Sequence, residues 1–265
     1  MRGGKIEMYF QLSKCTFSQQ FQYRESMFFQ LIGKFIWIYI NLCIWKALLA
    51  YREVGRSYEE MVVYVLVAEI LLLLCHSNVA VDLAEKVKTG DISINLIRPV
   101  GLKWYSFWEQ MSSNLFRLLF VGFPTIVISV SLWPVCSLST ENVLLALVST
   151  ALAVLLNFYF QYIVGLLAFW FKNGTYAKML IGGLMSIFAG QKIPLWFYPS
   201  FLVTICSFLP FKYMVYEPIA ILLGEYRGGE AINVLLMQAA WILGLWILER
   251  FVWHRVQTAI EIQGG

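Results

Sequence analysis

The stretch VLLALVSTALAVLLNFYFQYIVGLLAFWF, residues 143–171, decides the class of fold because it contains no charged residue. A helix that spans the hydrocarbon core of a bilayer needs about 20 mostly apolar residues. Across the whole 265-residue chain, 60% of the residues are hydrophobic and 14% are charged, whereas a soluble domain carries about 25% charged residues. The sequence therefore predicts an integral membrane protein.

Further apolar runs on both sides predict an all-α membrane protein with six transmembrane helices. Besides 143–171, spans are expected at about 27–50, 61–81, 105–133, in the run that starts at 179, and at 231–248. Residues 1–26 mix aromatic and basic side chains, which predicts an interfacial helix, with a cytosolic tail as the alternative. We expect all these parts to form one transmembrane domain, 1–265.

The positions of Lys and Arg predict the orientation, because cytoplasmic loops carry an excess of both. With six crossings and a cytoplasmic N-terminus, the inner side receives twelve of these residues: Arg2, Lys5, Lys14, Arg24, Lys86, Lys88, Arg98, Lys103, Lys172, Lys178, Arg250 and Arg255. The outer side receives six: Lys46, Arg52, Arg56, Lys192, Lys212 and Arg227. We therefore expect a multi-pass protein of the cell inner (plasma) membrane with both termini cytoplasmic.

The block GQKIPLWFYPSFLVTICSFLPFKYMVYEP, residues 190–218, interrupts the apolar sequence before the last span. The run 179–211 is too long for one crossing, and four of the chain's seven prolines lie in the block. Broken backbone at membrane depth is tolerated only against protein or a water-filled cavity. Residues 191–224 are therefore predicted to form an outer re-entrant helical hairpin. Two complete crossings, which would leave the basic C-terminus outside, are the alternative.

The polar segment between the second and third spans, 82–104, contains the start and stop residues of a short capped helix and is expected on the cytoplasmic side. Gly90 is expected to end the preceding helix, Asp91 to cap a new one, and Pro99 to stop it. About two turns of exposed apolar residues would lie in between, although the alternation I-S-I-N-L also suits an extended chain. A socket in a partner protein is one interpretation, and a helix resting on lipid is the other.

Two ionisable residues lie well inside predicted spans, Glu69 in the second and Arg117 in the third. Intramembrane charges are costly and mark transport paths, so both residues are candidates for such a path. The alternative is a structural ion pair in which the two neutralise each other near mid-depth. Lys34, near one end of the first span, is interpreted as extending toward the lipid headgroups.

Motifs for catalysis and for nucleotide binding are absent from the sequence. There is no GxxxxGK[ST] loop to hold ATP phosphates, and no HExxH or GxSxG motif. Two histidines and five singly placed cysteines favour neither a metal site nor a disulfide framework. His76 in the second span is interpreted as a hydrogen-bonded packing residue. We expect no catalytic residue, metal or cofactor in this chain.

Three stretches together resemble the permease subunits of ABC-2-type exporters: GDISINLIRPV at 90–100, the proline-rich block 190–218, and IEIQGG at 260–265. More narrowly, they resemble the six-span bacterial permeases that work with a separate ATPase. The resemblance covers the whole chain in order. It implies two ATP-binding subunits that carry ATP and Mg²⁺, a second permease that is identical or homologous, contact with membrane lipids, and no nucleic acid.

The resemblance also implies roles for individual residues. The element that docks into an ATPase groove would comprise Gly90, Asp91, Ile92, Ile94, Leu96, Ile97, Arg98 and Pro99. The hairpin residues that shape an outer gate would be Pro194, Pro199, Pro210 and Phe211. Closure of the ATPases on ATP would tilt the spans and move a substrate outward.

A secondary transporter, or a membrane-embedded lipid-modifying enzyme without an ATPase partner, is the alternative function. Secondary carriers contain repeats with broken helices in both halves, whereas the apolar sequence broken by several prolines, 190–218, occurs only in the C-terminal half here. Aromatic residues make up 17% of the chain, which suits lipid or amphiphile cargo and suits lipid-facing packing equally well.

Overall fold

The computed structural model describes residues 3–51, 55–92, 101–171, 174–226 and 229–264, and all regular structure in these ranges is helical. Five helical stretches there are long and apolar enough to cross a membrane: Glu25–Tyr51, Tyr58–Thr89, Leu102–Leu132, Thr140–Trp170 and Glu230–Thr258. The prediction of an all-α, multi-pass membrane protein is therefore confirmed, and five spans of full length are found where six were predicted.

The predicted fifth span differs most from its expectation. The helix at this place, Gly174–Phe188, has 15 residues and is about 22 Å long at 1.5 Å per residue, less than the roughly 30 Å of a hydrocarbon core. It ends because Gly190 adopts φ = 70°, a conformation that residues with a Cβ rarely adopt, and because Pro194 follows. This helix alone is too short to cross.

The described residues form twelve α-helices, numbered in chain order. They are α1 (Gly3–Gln20), α2 (Arg24–Tyr51), α3 (Tyr58–Leu74), α4 (Val79–Thr89), α5 (Leu102–Arg117), α6 (Phe123–Leu132), α7 (Thr140–Leu166), α8 (Ala168–Phe171), α9 (Gly174–Phe188), α10 (Ser200–Ser207), α11 (Tyr216–Leu222) and α12 (Glu230–Gly264). A π-helical turn, Leu118–Gly122, joins α5 to α6. The second span is therefore two helices, because the residues between α3 and α4 are not helical.

Helix α1 occupies most of the predicted interfacial segment and packs along α5. Tyr9 stacks on Trp108 with ring centroids 6.1 Å apart, and Phe17 meets Phe116 edge-to-face at 5.0 Å. Gln20 Nε2 donates a hydrogen bond to Ser113 Oγ over 3.1 Å. The aromatic side chains of α1 therefore contact protein as well as any lipid.

A separate apolar cluster marks each of the two ends of the bundle. At one end, here called the coupling end, an apolar cluster joins α4, α5, α7 and α12; its buried members are Val79, Leu83, Ile92, Leu102, Phe158, Tyr162, Leu166 and Val256. At the other, here called the hairpin end, Trp45 of α2 and Met61 of α3 are buried with Trp133, Trp196 and Phe197 packed against them. The segment 189–226 lies at the hairpin end.

Close packing of α7 against α4 fixes the coupling end. A Cβ added to Gly165 would lie 2.8 Å from Leu83 Cδ1 and 3.0 Å from Ala80 Cα. Only glycine permits this approach, as is common where membrane helices pack closely. Helix α7 therefore serves as the central element against which the broken second span is held.

Candidate functional site

The predicted coupling segment starts where α4 ends. Gly90 adopts φ = 84°, the left-handed conformation in which glycine commonly terminates helices, so this part of the prediction is confirmed. Thr89 Oγ1 donates a hydrogen bond of 2.7 Å to Asp91 Oδ2 in the turn that follows, and Ile92 is again helical. The remaining predicted residues lie outside the described ones and stay predictions: Ile94, Leu96, Ile97, Arg98 and Pro99.

Ile92 packs against the protein itself, and the expectation of an exposed apolar side chain at this position was wrong. Its side chain is 9% exposed and belongs to the coupling-end cluster. After the left-handed turn at Gly90, Ile92 contacts the cluster that includes Leu102 at the start of α5. A displacement of the segment would therefore act directly on the ends of α4, α5, α7 and α12.

A buried ion pair adds to this connection. Lys103 Nζ lies 2.9 Å from Glu249 Oε2, and the side chains are 14% and 4% exposed. The pair joins the first turn of α5 to α12. Removal of either partner would leave a charge that is largely shielded from solvent, so α5 and α12 are held together near the coupling end.

The second span is interrupted at Cys75–Asn78, a break that the sequence did not reveal. The carbonyl groups freed by the break are bonded by amide side chains of neighbouring helices, a requirement for non-helical backbone at membrane depth. Asn114 Nδ2 donates to Leu74 O over 2.6 Å, and Asn157 Nδ2 to Cys75 O over 2.6 Å. Gln110 Nε2 donates to His76 O over 2.9 Å, and its Oε1 accepts from Asn78 N over 3.1 Å.

Glu69 and Arg117, the two candidates for a transport path, are not partners in the structure. Lys34 donates a hydrogen bond to the Glu69 carboxylate and forms an ion pair with it, which corrects both the proposed Glu69–Arg117 pair and the lipid-directed interpretation of Lys34. Arg117 lines a different cavity, between α1, α4 and α5, and its Nε is buried without a hydrogen-bond partner among the described residues.

Three cavities follow one another along the broken span. The first, of about 230 Å³, contains Arg117 and touches Asn78. The second, of about 220 Å³, lies beside the break and also touches Asn78. The third, of about 370 Å³, is lined by Lys34 and Glu69 and shares Leu72 and Gln191 with the second. The two candidate residues therefore lie in the first and last members of one series, here called the cavity series.

The segment between α9 and α12 folds back, so that Tyr216 lies beside the residues with which the segment begins. Tyr216 N donates to Ala189 O over 3.2 Å, and the Tyr64 hydroxyl donates to Gly190 O over 2.6 Å. The segment contains only short helices: Leu195–Phe197, Ser200–Ser207, Phe211–Met214 and Tyr216–Leu222. The chain therefore returns to the start of the segment, and the outer re-entrant helical hairpin stays a prediction.

Three of the four predicted gate residues begin helical turns of this segment. Pro194, Pro199 and Pro210 each precede the first residue of a short helix, positions that suit a residue with a fixed φ. Phe211 is 5% exposed and contacts Phe160 and Phe188, with ring centroids 5.1 and 6.2 Å away. Phe211 therefore anchors the segment to α7 and α9.

Charged residues attach the hairpin end to the loop after α2. Arg56 Nη2 lies 3.2 Å from Glu225 Oε1, and the Arg56 guanidinium lies 4.5 Å from the centre of the Trp196 ring. Lys212 Nζ lies 2.7 Å from Glu217 Oε1, and Tyr226 donates to the same carboxylate. Burial raises the pKa of Glu225, although the Arg56 charge and the Tyr216 hydroxyl oppose the shift.

The comparisons with known proteins agree with this architecture. The profile of a family described as ABC-2 family transporter protein matches residues 31–264. No curated protein and no solved structure matches the chain. The family match covers the first full-length span from residue 31 onward, the other four spans, the start of the coupling segment and the segment 189–226. The chain belongs to the ABC-2 transporter family, whose members are membrane permeases of ABC transporters.

Proposed function

We propose that this chain is the permease subunit of an ATP-driven exporter that moves an amphiphilic or lipid-like substrate outward. Separate ATP-binding subunits would bind ATP and Mg²⁺, and a second permease, identical or homologous, would complete the transporter. The observation that supports the proposal is the position of Ile92: two residues after Gly90 ends α4, its side chain is packed into the cluster that joins α4, α5, α7 and α12.

The mechanism follows from these contacts. An ATPase that grips residues 90–99 would push on the buried Ile92 and thereby on the starts and ends of four helices. The amide-bonded break between α3 and α4 allows α4 to move relative to α3, because a non-helical link transmits less rigidly than continuous helix. The cavity series, which adjoins the break, would change shape in the same motion.

Orientation is part of the proposal. Ile92, Lys103 and Val256 lie at the coupling end, whereas 189–226 lies at the hairpin end. The sequence segments predicted to be cytoplasmic carry the excess of Lys and Arg, which favours the cytoplasmic side for the coupling end. The hairpin would then open or close the outer side of the path, in the cell inner membrane.

A secondary carrier is the competing function, and one observation bears on it. The sequence argument against a carrier was that apolar sequence broken by several prolines occurs only in the C-terminal half. The break at Cys75–Asn78, which contains no proline, adds a broken helix in the N-terminal half and weakens this argument. The family match is the stronger observation, because it covers nearly the whole chain. Substrate movement that requires ATP and not an ion gradient separates the two functions.

The test is affinity purification of the tagged protein in mild detergent. Wild type is compared with the double variant Asp91→Lys/Leu96→Asp at the coupling segment, and with Glu141→Lys, an exposed acid at the start of α7. We expect an ATP-binding subunit to co-purify with wild type and Glu141→Lys and to be lost from the double variant at equal membrane insertion. Retention of the ATPase by the double variant would refute the coupling role.

A further inference from the structure

The middle member of the cavity series has a lining of unusual composition. Its polar side chains are amides, one imidazole and one hydroxyl, and none of the described residues that line it is charged. Leu72, Ile181 and Met185 form an apolar wall. A pocket with an apolar wall and a few convergent polar groups is the usual form of a small-molecule site.

Two of these amides are buried without a full set of partners. Gln161 is 6% exposed and makes no hydrogen bond to a described residue. Asn157 is 3% exposed; its Nδ2 bonds Cys75 O, but its Oδ1 has no partner among the described residues. Buried polar groups are nearly always bonded in native proteins. The Gln161 amide, which lines the cavity, is therefore available to a ligand, and a rotation of the Asn157 amide would bring its unpaired Oδ1 to the same ligand.

The chemistry of the free groups specifies the class of ligand. A carboxamide both donates and accepts hydrogen bonds, as does a hydroxyl group. A phosphate or an ammonium group would enter this cavity without a counter-charge in its lining, which is costly in a dry site. A cavity of about 150 Å³ holds a benzene-sized ring, so 220 Å³ has room for one sugar-sized ring.

We propose that this cavity binds the uncharged, polyhydroxylated head group of an amphiphile, a sugar or polyol, through Asn157 and Gln161. The apolar wall of Leu72, Ile181 and Met185 would cover the less polar face of the ring. Gln191 and Asn78, which are shared with the neighbouring cavities, would contact the head group as it enters and leaves. The inference rests on the proposed function in one respect: it takes this ligand to be the transported substrate.

The experiment uses the full chain in phosphatidylcholine nanodiscs and two lipid probes with the same photoreactive acyl chain. One probe is a monoglucosyl diacylglycerol and the other a phosphatidylglycerol. Labelling as a function of probe concentration gives an apparent affinity for each. We expect the glucosyl probe to label peptides of α3, α4, α7 or α9 with an affinity at least tenfold higher than that of the phosphatidylglycerol probe.

The decisive variant is Gln161→Leu, with Gln257→Leu on an exposed position of α12 as the matched control. Loss of one buried amide partner should lower the apparent affinity for the glucosyl probe about tenfold, and the control variant should bind it like wild type. Gln191→Leu serves as a second cavity variant if Gln161→Leu does not fold. Equal labelling by both probes, or unchanged binding by the cavity variants, would overturn the inference.

The same preparations separate this inference from the proposed function. Co-purification of an ATP-binding subunit is scored in parallel. Selective glucosyl labelling without any ATPase would count against the exporter and support the site. An ATPase that co-purifies with a chain that shows no glucosyl preference would overturn the site and leave the exporter standing.

Discussion

Replacement of Asn157 by leucine should destabilise the protein by leaving one carbonyl of the broken span without a partner. Asn157 is 3% exposed, and its Nδ2 bonds Cys75 O over 2.6 Å. An unpaired buried carbonyl costs about 1–3 kcal/mol, whereas interhelical hydrogen bonds in a membrane average about 0.6 kcal/mol with a maximum of about 1.7. The membrane values are the relevant ones, so we expect the free energy of unfolding to fall by about 0.6–1.7 kcal/mol.

The measurement is thermal unfolding in detergent, with Gln161→Leu as the matched control. Gln161 lies one turn further along α7, is similarly buried, and makes no hydrogen bond with the described residues. Its replacement leaves no partner behind and should cost close to nothing. At about 2–4 °C per kcal/mol, Asn157→Leu should unfold several degrees lower. Equal unfolding temperatures for the two variants would refute the role of Asn157 in holding the break.

Three further predictions follow from particular contacts. Gly165→Ala should lower the free energy of unfolding, measured by thermal unfolding, by about 1–3 kcal/mol because the added methyl group would clash with α4. Gly183→Ala is the control, because a methyl group there would enter open space, and it should leave the stability unchanged. Lys34→Met should lower the free energy of unfolding by about 3 kcal/mol, because it leaves the Glu69 carboxylate buried without its cation. The double variant Lys34→Met/Glu69→Leu should recover most of this loss; no recovery would contradict the pairing. Because burial raises the pKa of Glu225 in the folded state above its ordinary value of 4.5, the folded state binds the proton more tightly than the unfolded state. Wild type should therefore gain stability relative to Glu225→Gln as the pH falls from 7 through the folded-state pKa toward 4.5; parallel melting profiles would contradict this.

Much of the architecture could be predicted because it depends on local sequence. Charge-free runs define spans whatever they pack against, and the full-length spans were found close to their expected places. Gly90 ends α4 for a local reason, its access to positive φ. Pro194, Pro199 and Pro210 likewise start short helices through their own fixed geometry.

The break in the second span could not be predicted, because its cause is not local. The sequence CHSN at 75–78 contains neither glycine nor proline, the residues that usually interrupt helices. The break is held by Gln110, Asn114 and Asn157, which come from two other spans. A signal was present in these carboxamides within apolar runs, but their partners are set only by tertiary packing.

The ion pair of Glu69 was missed for a similar reason. Intramembrane position identified Glu69 and Arg117 as unusual, but sequence spacing does not say which spans are neighbours. Helix α2 packs beside α3 and brings Lys34 to Glu69, while the α1–α5 packing holds Arg117 at a separate cavity. Sequence reasoning therefore identified Glu69 and Arg117 but not Lys34 as the partner of Glu69.

The most direct test of the central claim is site-specific photocross-linking in intact cells. A photoreactive amino acid replaces Ile94 in the coupling segment or, as a control, Leu138 at the hairpin end, and the adducts are identified by mass spectrometry. The account predicts an adduct between position 94 and an ATP-binding subunit, and none from position 138. Adducts of position 94 with lipid alone, or with no ATP-binding subunit, would contradict it.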